Sequence, residues 1–204
     1  MRDKFIESIK ENQSAFGLTL ADDAIDRLAD HYEVVMQHNA LLHLVGPCSA
    51  SEFATRHILE SLVLLRYLPA KPRIADVGAG AGLPSIPCML VNSEISAVLI
   101  ESKKRKAEYL AHALTQLGLQ DRAAVNDRAF QECDPGNANV VTCRALDRFA
   151  ERLPKVIKWA GKRKMVFFAG ENIREGLEKL KLRYTADLLP LSDRRFVFAI
   201  ESRR

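Results

Sequence analysis

The chain has 204 residues, of which 48% are hydrophobic and 27% charged, and its formal net charge is +4 at pH 7. A chain of this length and hydrophobic content can bury the core of one ordinary domain. The small positive charge permits a nucleic-acid partner without requiring one. Neither a bilayer-spanning apolar run nor a signal peptide is recognisable, which argues against a membrane protein or a secreted one. We therefore expect a cytoplasmic protein.

The cysteines and histidines give no sign of a metal site. The four cysteines include no C-x-x-C pair. His38 and His43 are separated by five residues, and this separation does not bring two imidazoles to one helix face as a zinc pair requires. We therefore expect no bound metal and a reducing compartment.

The first seventy residues have helical patterns. Thr19 with Asp22 and Ser49 with Glu52 each fit the Ser/Thr-x-x-Asp/Glu signal that starts a helix. The second signal is followed by a predicted helix over Glu52 to Tyr67, and between the two signals apolar residues recur at helical spacing. Those residues are Ile25, Leu28, Ala29, Tyr32 and Val35 or Met36.

From Arg73 onward short apolar runs alternate with longer amphipathic segments, which is typical of a parallel α/β sheet. The last two runs, Tyr184 to Leu191 and Arg195 to Ser202, are too close for a crossover helix and predict an antiparallel hairpin. We expect a helical extension, residues 1–70, packed on a main domain, residues 71–204. The predicted parallel strands are Arg73–Val77, Ile95–Glu101, Ala123–Asn126, Val140–Arg144 and Met165–Ala169.

The glycine-rich segment Asp76–Gly82 lies between a buried strand and Leu83-Pro84. Glycines let a backbone approach a ligand closely at the carboxyl edge of a sheet, where a helix N-terminus offers unpaired N–H groups. A dinucleotide fingerprint would need glycine at Leu83. The alternate glycines, with an acid two residues before the first, instead resemble the first motif of S-adenosylmethionine-dependent methyltransferases. The alternative is a tight strand-to-helix turn without a ligand.

Three further strand ends carry candidate ligand-binding residues. Glu101 ends the second strand, where a carboxylate can accept both ribose hydroxyls of an adenosine cofactor, or can stabilise the next helix N-terminus. Ala129 and Phe130 follow the third strand, over the expected adenine position, although Phe130 could equally be core. Arg144 ends the fourth strand, where ligands of such sheets bind; a surface ion pair is the alternative.

At this point nearly the whole chain resembles one family, the ribosomal small-subunit RNA methyltransferase G family, also called glucose-inhibited division protein B. The two most specific matches are Arg56–Ser61 and Asp76–Pro87. The other two matches are Leu99–Ser102 with its basic continuation and Cys143–Ala145.

This resemblance implies a Rossmann-like class I methyltransferase fold and the transfer of a methyl group from S-adenosylmethionine to N7 of a guanine in 16S ribosomal RNA. It implies a cytoplasmic protein that acts on small-subunit ribosomal RNA, and we expect a monomer. Arg56 and His57 are expected to shape the substrate side, and Arg144 to orient cofactor or target. The residues expected at the cofactor are Gly78, Gly80, Gly82, Leu83, Glu101, Ala129, Phe130 and Arg144.

Several positions depart from the family pattern. Glu60 replaces the usual aspartate, Ala169 stands where the family carries the lysine of a Lys-Gly pair, and Phe130 replaces an acidic residue. Lys162–Lys164 or Arg144 could supply the missing positive charge. The departures motivate a second hypothesis, a noncatalytic descendant that binds S-adenosylmethionine or RNA. A third is a methyltransferase for another substrate, because fold does not determine substrate.

The basic residues cluster in four runs, which favours an anionic partner but indicates only sequence-independent attraction to phosphate. Guanine N7 carries a lone pair and no proton, so methyl transfer to it needs positioning and no general base. The four runs are Lys103–Lys106, Lys162–Lys164, Arg194-Arg195 and Arg203-Arg204.

Overall fold

The computed structural model describes residues 1–144 and 146–201 of the chain. Ala145, the predicted last strand residue Ser202 and the basic pair Arg203-Arg204 lie outside these residues. Among the described residues, no helix combines the length and the apolar character that crossing a membrane requires.

Two long helices open the chain: α1 (Arg2–Asn12), followed by a 3-10 turn (Gln13–Phe16), and α2 (Asp22–Leu42). The start signal predicts Thr19 as the cap residue, whereas α2 begins at Asp22, two residues later than such a cap would place it. The residue at its cap is Ala21, which has no side chain that could accept a hydrogen bond. The predicted start signal therefore marks the position of the helix but forms no capping bond.

The second start signal forms the predicted capping box. The Ser49 hydroxyl accepts the Glu52 N–H at 3.1 Å, and the Glu52 carboxylate accepts the Ser49 N–H at 2.8 Å. The helical stretch that follows is not the single helix that the pattern predicts. It consists of α3 (Ala50–Glu52), a π-helical segment (Phe53–Leu59), α4 (Glu60–Leu62) and a 3-10 turn (Val63–Tyr67).

The N-terminal helices cover one face of the sheet. Phe5 stacks on Tyr32 with ring centroids 5.0 Å apart, and Tyr32 packs against Phe53 at 5.1 Å. The same hydrophobic cluster includes Ile74 and Leu99 of the sheet. One hydrophobic cluster contains residues from both sides of position 70. The division of the chain into a helical extension and a main domain stays a prediction.

Within the described residues the sheet has seven strands in the order β3-β2-β1-β4-β5-β7-β6. The first five are parallel, and β7 pairs antiparallel with both β5 and β6, so the predicted topology is confirmed. The strands are β1 (Arg73–Val77), β2 (Ser96–Ile100), β3 (Ala123–Asn126), β4 (Val140–Arg144), β5 (Lys164–Ala169), β6 (Tyr184–Leu188) and β7 (Phe196–Ile200).

Helices between the strands cover both faces of the sheet, with one hydrophobic cluster on each side. This doubly wound arrangement brings the carboxyl ends of all five parallel strands to one edge, where such folds bind ligands. The connecting elements are α5 (Ser85–Val91), α6 (Lys104–Gln116), α7 (Phe149–Ala160), α8 (Arg174–Lys179) and two 3-10 turns, Phe130–Glu132 and Glu171–Ile173.

Candidate active site

A cavity of about 580 Å³ opens at this edge of the sheet, a size within the usual range for a small-molecule site. It extends from the end of β2 to the start of β7. Seven of the residues predicted to be functional line it, and Gly82, Ala129 and Phe130 are not among its lining residues. The seven are Arg56, His57, Gly78, Gly80, Leu83, Glu101 and Arg144.

The glycine turn directs its backbone into the cavity. The N–H groups of Gly78 and Ala79 both donate to the carbonyl of Ile100, at 2.8 and 3.1 Å, so the turn is held against the end of β2. Gly78 has φ +75° and Gly82 has φ +83°, values that favour glycine. A Cβ at Gly82 would lie 2.3 Å from the side chain of Ile86, which explains this glycine by packing against α5.

Glu101 is held rigidly beside the glycine turn. It is 7% exposed, and its two carboxylate oxygens accept the N–H groups of Gly80 at 3.2 Å and Lys103 at 2.8 Å. Because an ionised carboxylate offers about four acceptor sites, acceptor capacity remains for hydroxyl donors from the cavity. The predicted contact with the start of the next helix is present, and Glu101 lines the cavity; its binding of ribose hydroxyls stays a prediction.

Asp76 lies on the buried side of the glycine turn and binds the start of the next helix. Its side chain is completely buried, and one oxygen accepts the Ser85 hydroxyl at 2.6 Å. Burial raises the pKa of this carboxyl to about 7, while the Ser85 hydrogen bonds act in the opposite direction. Asp76 thus connects β1 to the first residue of α5, on the buried side of the glycine turn.

His31 connects the N-terminal helices to the glycine turn, a contact that sequence reasoning missed. Its ring is completely buried on α2, and its Nε2 donates to the carbonyl of Ala81 at 3.0 Å. Burial lowers the pKa of His31 to about 4, so the ring is neutral at pH 7. The neutral imidazole is able to hold the turn in place without placing a charge in the core.

The His31 ring predicts a specific response of stability to acid. Between pH 6.5 and about 4 the unfolded protein binds a proton on His31 and the folded protein does not. Stability therefore rises with pH in this window and is lost as the pH falls. In His31→Gln, we expect the free energy of unfolding to depend less steeply on pH, by up to about 1.4 kcal/mol per pH unit.

Urea unfolding of both proteins at several pH values between 4 and 6.5 measures this difference. Asp76 and His57 titrate in both proteins, so their contributions cancel when the two slopes are compared. Parallel pH dependences for the wild type and His31→Gln would contradict the burial of a neutral His31.

Three charged side chains form what we call the Glu60 cluster: Glu60, Arg144 and Arg195. Glu60 is 1% exposed, and its Oε2 binds Arg144 Nη2 at 3.0 Å. Its Oε1 accepts a hydrogen bond from Arg195 Nε at 2.8 Å and forms an ion pair with Arg195 Nη2 at 2.7 Å. Arg144 therefore forms the ion pair that the alternative predicted, but in a buried position, since its side chain is only 11% exposed; its contact with a ligand stays a prediction. Two guanidinium groups thus share one buried carboxylate at the cavity wall.

The π-helical segment brings Arg56 and His57 to the same wall. The amide of Glu60 donates to the carbonyl of Thr55 in the wider π turn, and the carbonyl of Arg56 accepts a hydrogen bond from Arg144. The pKa of His57 falls to about 3, because burial and the charges of Arg144, Arg56 and Arg195 disfavour its protonated form. Short π segments are frequent at functional sites, and this one supplies two cavity residues.

Ala129 and Phe130 lie away from the cavity lining. Phe130 is 4% exposed and packs edge-to-face on Trp159 with centroids 5.7 Å apart, so its interpretation as a core residue is confirmed. Ala129 caps the 3-10 turn that contains Phe130. A contact between the cofactor and the backbone of these two residues stays a prediction.

The basic run Lys162–Lys164 does not replace the cation missing at Ala169. Lys164 begins β5 and pairs with Val140, the first residue of β4, so the run lies at the opposite edge of the sheet from the cavity. The expectation for this run was wrong, whereas the alternative, Arg144, lines the cavity and pairs with Phe168. The cation beside Ala169 is Arg195, since Phe196 pairs with Ala169 and Arg195 precedes it.

Solved structures share this fold. A protein of the NAD-binding Rossmann superfamily from Streptococcus agalactiae superposes with a TM-score of 0.60 at 16% identity, over 70% of this chain and 67% of that one. A tRNA methyltransferase from Bacillus subtilis gives a TM-score of 0.54 at 17% identity, over 71% of this chain and 65% of that one. The architecture is the Rossmann-like fold of class I S-adenosylmethionine-dependent methyltransferases.

Sequence comparison identifies the family within this class. Residues 24–196 match the family rRNA small subunit methyltransferase G, or GidB. The ribosomal RNA small subunit methyltransferase G of Halorhodospira halophila is 33% identical over 87% of this chain and 83% of its own length. That of Neisseria meningitidis serogroup C is 30% identical over 76% of this chain and 72% of its own. The chain belongs to the rRNA small subunit methyltransferase G family.

Proposed function

We propose that this protein transfers a methyl group from S-adenosylmethionine to N7 of a guanine in 16S ribosomal RNA. The observation that carries the proposal is the Glu101 carboxylate, fixed beside the glycine turn in a cavity that continues to Arg144 and Arg195. The family to which the chain belongs is described as rRNA small subunit methyltransferase G, which indicates small-subunit ribosomal RNA as the substrate. We also propose that the protein acts as a monomer and is located in the cytoplasm, where ribosomal RNA is available.

The cavity residues fit an adenosine cofactor. Glu101 retains acceptor capacity for two ribose hydroxyls, and the glycine turn lets the backbone approach closely. Arg144 lies two strands from Glu101, across β1, with its guanidinium 5.7 Å from the Phe168 ring centroid. S-adenosylmethionine supplies an electrophilic methyl group on a sulfonium ion. Glu101 and Arg144 would hold the two ends of that molecule.

The cavity needs no proton acceptor for this reaction. Guanine N7 attacks the methyl carbon with an in-plane lone pair, the carbon–sulfur bond breaks, and the positive charge passes to the purine. His57 would be neutral at pH 7, since its pKa falls to about 3. The residues around the cavity therefore contribute the orientation of the reactants and the exclusion of water.

The RNA must present its guanine N7 to this edge of the sheet. In a paired A-form helix that atom lies in a deep and narrow groove, so we propose that the target guanine lies in a loop or a flexible junction. Lys103 and Lys106 at the cavity would attract the phosphates on one side and Arg56 on the other. Binding by phosphate contacts predicts an affinity for RNA that falls steeply with salt.

The test is the transfer of labelled methyl from S-adenosylmethionine to small-subunit ribosomal RNA that lacks modification, followed by mapping of the labelled base. We expect label on a guanine N7. In Gly78→Arg the label should disappear, because Gly78 has φ +75° and even a Cβ there would lie 2.8 Å from Leu146 Cδ1. Circular dichroism of the variant checks that it is folded.

Two other results would redirect the proposal. Label on a different atom or only on other molecules would indicate a methyltransferase for another substrate. Measurable binding of S-adenosylmethionine without label on free RNA or on assembled small subunits would indicate a noncatalytic protein.

A further inference from the structure

We propose that Arg195 binds a phosphate of the RNA next to the target guanine, and that Glu60 is the positioning residue that holds its guanidinium in place. This inference rests on the proposed function and adds a substrate contact to it. Arg195 belongs to none of the motifs that predicted the cofactor site. It lines the cavity because β7 pairs with β5.

The position of Arg195 separates it from the cofactor side. Arg144 lies opposite Phe168 in the β4–β5 pair, and Phe196 lies opposite Ala169 in the β5–β7 pair. Neighbouring strands are about 4.8 Å apart, so Arg195 lies about 14 Å along the sheet edge from the glycine turn after β1. Glu101 is one strand further away, after β2. A cofactor that reaches from Arg144 to Glu101 extends away from the strand that follows Arg195. The guanidinium groups of Arg144 and Arg195 meet at Glu60, and the proposal assigns Arg144 to the cofactor and Arg195 to the substrate.

The charge balance of the cluster favours an anion. Glu60 carries one negative charge and the two arginines carry two positive charges, so the buried cluster has an excess positive charge at the cavity wall. The Arg195 side chain is 26% exposed, whereas Glu60 is 1% exposed. An anion that enters the cavity therefore reaches Arg195 and not the carboxylate that neutralises it.

The Arg195 guanidinium also has an N–H group that is available for a second acceptor. Its Nε and Nη2 are directed at Glu60, and its Nη1 forms no hydrogen bond or ion pair with residues 1–144 or 146–201. Guanidinium groups bind phosphate oxygens through such free N–H groups in a fixed plane. Because Glu60 fixes that plane, less conformational freedom is lost when the phosphate binds.

The cavity that Arg195 lines contains more cations than acids. Of the described residues that line the cavity, six are basic and three are acidic. Ala169 carries no charge at this edge, and Arg195, the residue before β7, places a cation beside it. The basic residues are Arg56, Lys103, Lys106, Arg144, Arg152 and Arg195, and the acidic ones are Glu60, Glu101 and Asp147.

The test compares Arg195→Ala with Lys162→Ala, which removes the same charge from an exposed position at the opposite edge of the sheet. Affinity for unmodified small-subunit ribosomal RNA is measured at several salt concentrations, and affinity for S-adenosylmethionine by calorimetry. We expect Arg195→Ala to weaken RNA binding at least tenfold at low salt. Its slope of log affinity against log salt should become shallower by about 0.7 to 0.9, one phosphate contact. Cofactor affinity should stay within twofold, and Lys162→Ala should match the wild type.

Arg195→Lys and Glu60→Gln test the positioning role. Arg195→Lys keeps the charge, so the salt slope should remain that of the wild type, while the methyl transfer rate falls because the planar group is lost. Glu60→Gln keeps Arg195 but removes the carboxylate that holds it. The methyl transfer rate should fall, and the slope of log RNA affinity against log salt should stay that of the wild type. A merely structural Glu60 would alter thermal stability and leave the rate of the folded protein unaffected.

Three outcomes would overturn the inference. Wild-type RNA affinity and salt slope in Arg195→Ala would make Arg195 only a partner of Glu60. A loss of cofactor affinity with unchanged RNA affinity would assign the anion to the cofactor carboxylate. Failure of the wild type itself to bind or methylate RNA would overturn the proposed function, and this inference with it, so the two failures are distinguishable.

Discussion

Replacing Glu60 with alanine should lower the free energy of unfolding by about 3 to 5 kcal/mol, the usual effect of removing one partner from a buried ion pair. Glu60 is 1% exposed and is the carboxylate between Arg144 and Arg195. Without it the guanidinium of Arg144, whose side chain is only 11% exposed, stays buried without a counter-charge. Urea unfolding at pH 7 measures the change.

Two variants check this explanation. Glu7→Ala removes an acid from the exposed Lys4–Glu7 pair and should leave the free energy of unfolding nearly unchanged. Glu60→Leu combined with Arg144→Met replaces the two most buried charges of the cluster with apolar groups. It should be less destabilised than Glu60→Leu alone, because the buried guanidinium of Arg144 is no longer stranded and the remaining Arg195 is 26% exposed to solvent. Equal destabilisation of the single and the double variant would show that packing, and not the stranded charge, causes the loss.

Replacing Glu101 with alanine should raise the dissociation constant of S-adenosylmethionine by about 100-fold, since two hydrogen bonds to a charged group are lost at about 1.5 kcal/mol each. The carboxylate also holds Gly80 and Lys103, so the glycine turn becomes less ordered in the variant. Calorimetric titration of the cofactor measures the effect. Methyl transfer at saturating cofactor separates weaker binding from slower chemistry.

Glu108→Ala is the matched control for this experiment. Glu108 is an exposed acid on α6, the helix that follows Glu101, and it is not a lining residue of the cavity. Its removal should leave cofactor affinity unchanged. If Glu101→Ala bound the cofactor as tightly as the wild type, the assignment of Glu101 to the ribose would be wrong.

Local pattern predicted most of the fold. Continuous apolar runs predicted the five parallel strands within one or two residues, because strands buried on both faces must be apolar throughout. The short connection between the last two apolar runs predicted the hairpin, because it leaves no room for a crossover helix. The π-helical segment Phe53–Leu59 was not predicted, since its apolar spacing resembles that of an α-helix. The hydrogen bond from the Glu60 amide to the Thr55 carbonyl, which widens the turn, is visible only in the structure.

The site was predicted in part. The glycine turn and Glu101 are local signals, because both follow strands whose carboxyl ends must meet at one edge. Phe130 looked equally suited to a ligand and to the core, and the packing of Trp159 against it was not visible in the sequence. His31 lies in an ordinary helical pattern, so no signal distinguished it from a core position. Glu60 belongs to the Arg56–Ser61 match, but its contacts with Arg144 and Arg195 were not visible in the sequence.

The sequence by itself determined the class of fold, the position of the glycine turn and the family, since each depends on residues close together in the chain. The tertiary structure decided that Arg195 lies beside Ala169, that Lys162–Lys164 lies at the far edge and that Glu60 joins two arginines. The physical reason is that strand order and register are set by contacts between distant segments. Burial, hydrogen bonding and charge act between those segments only after the chain has folded.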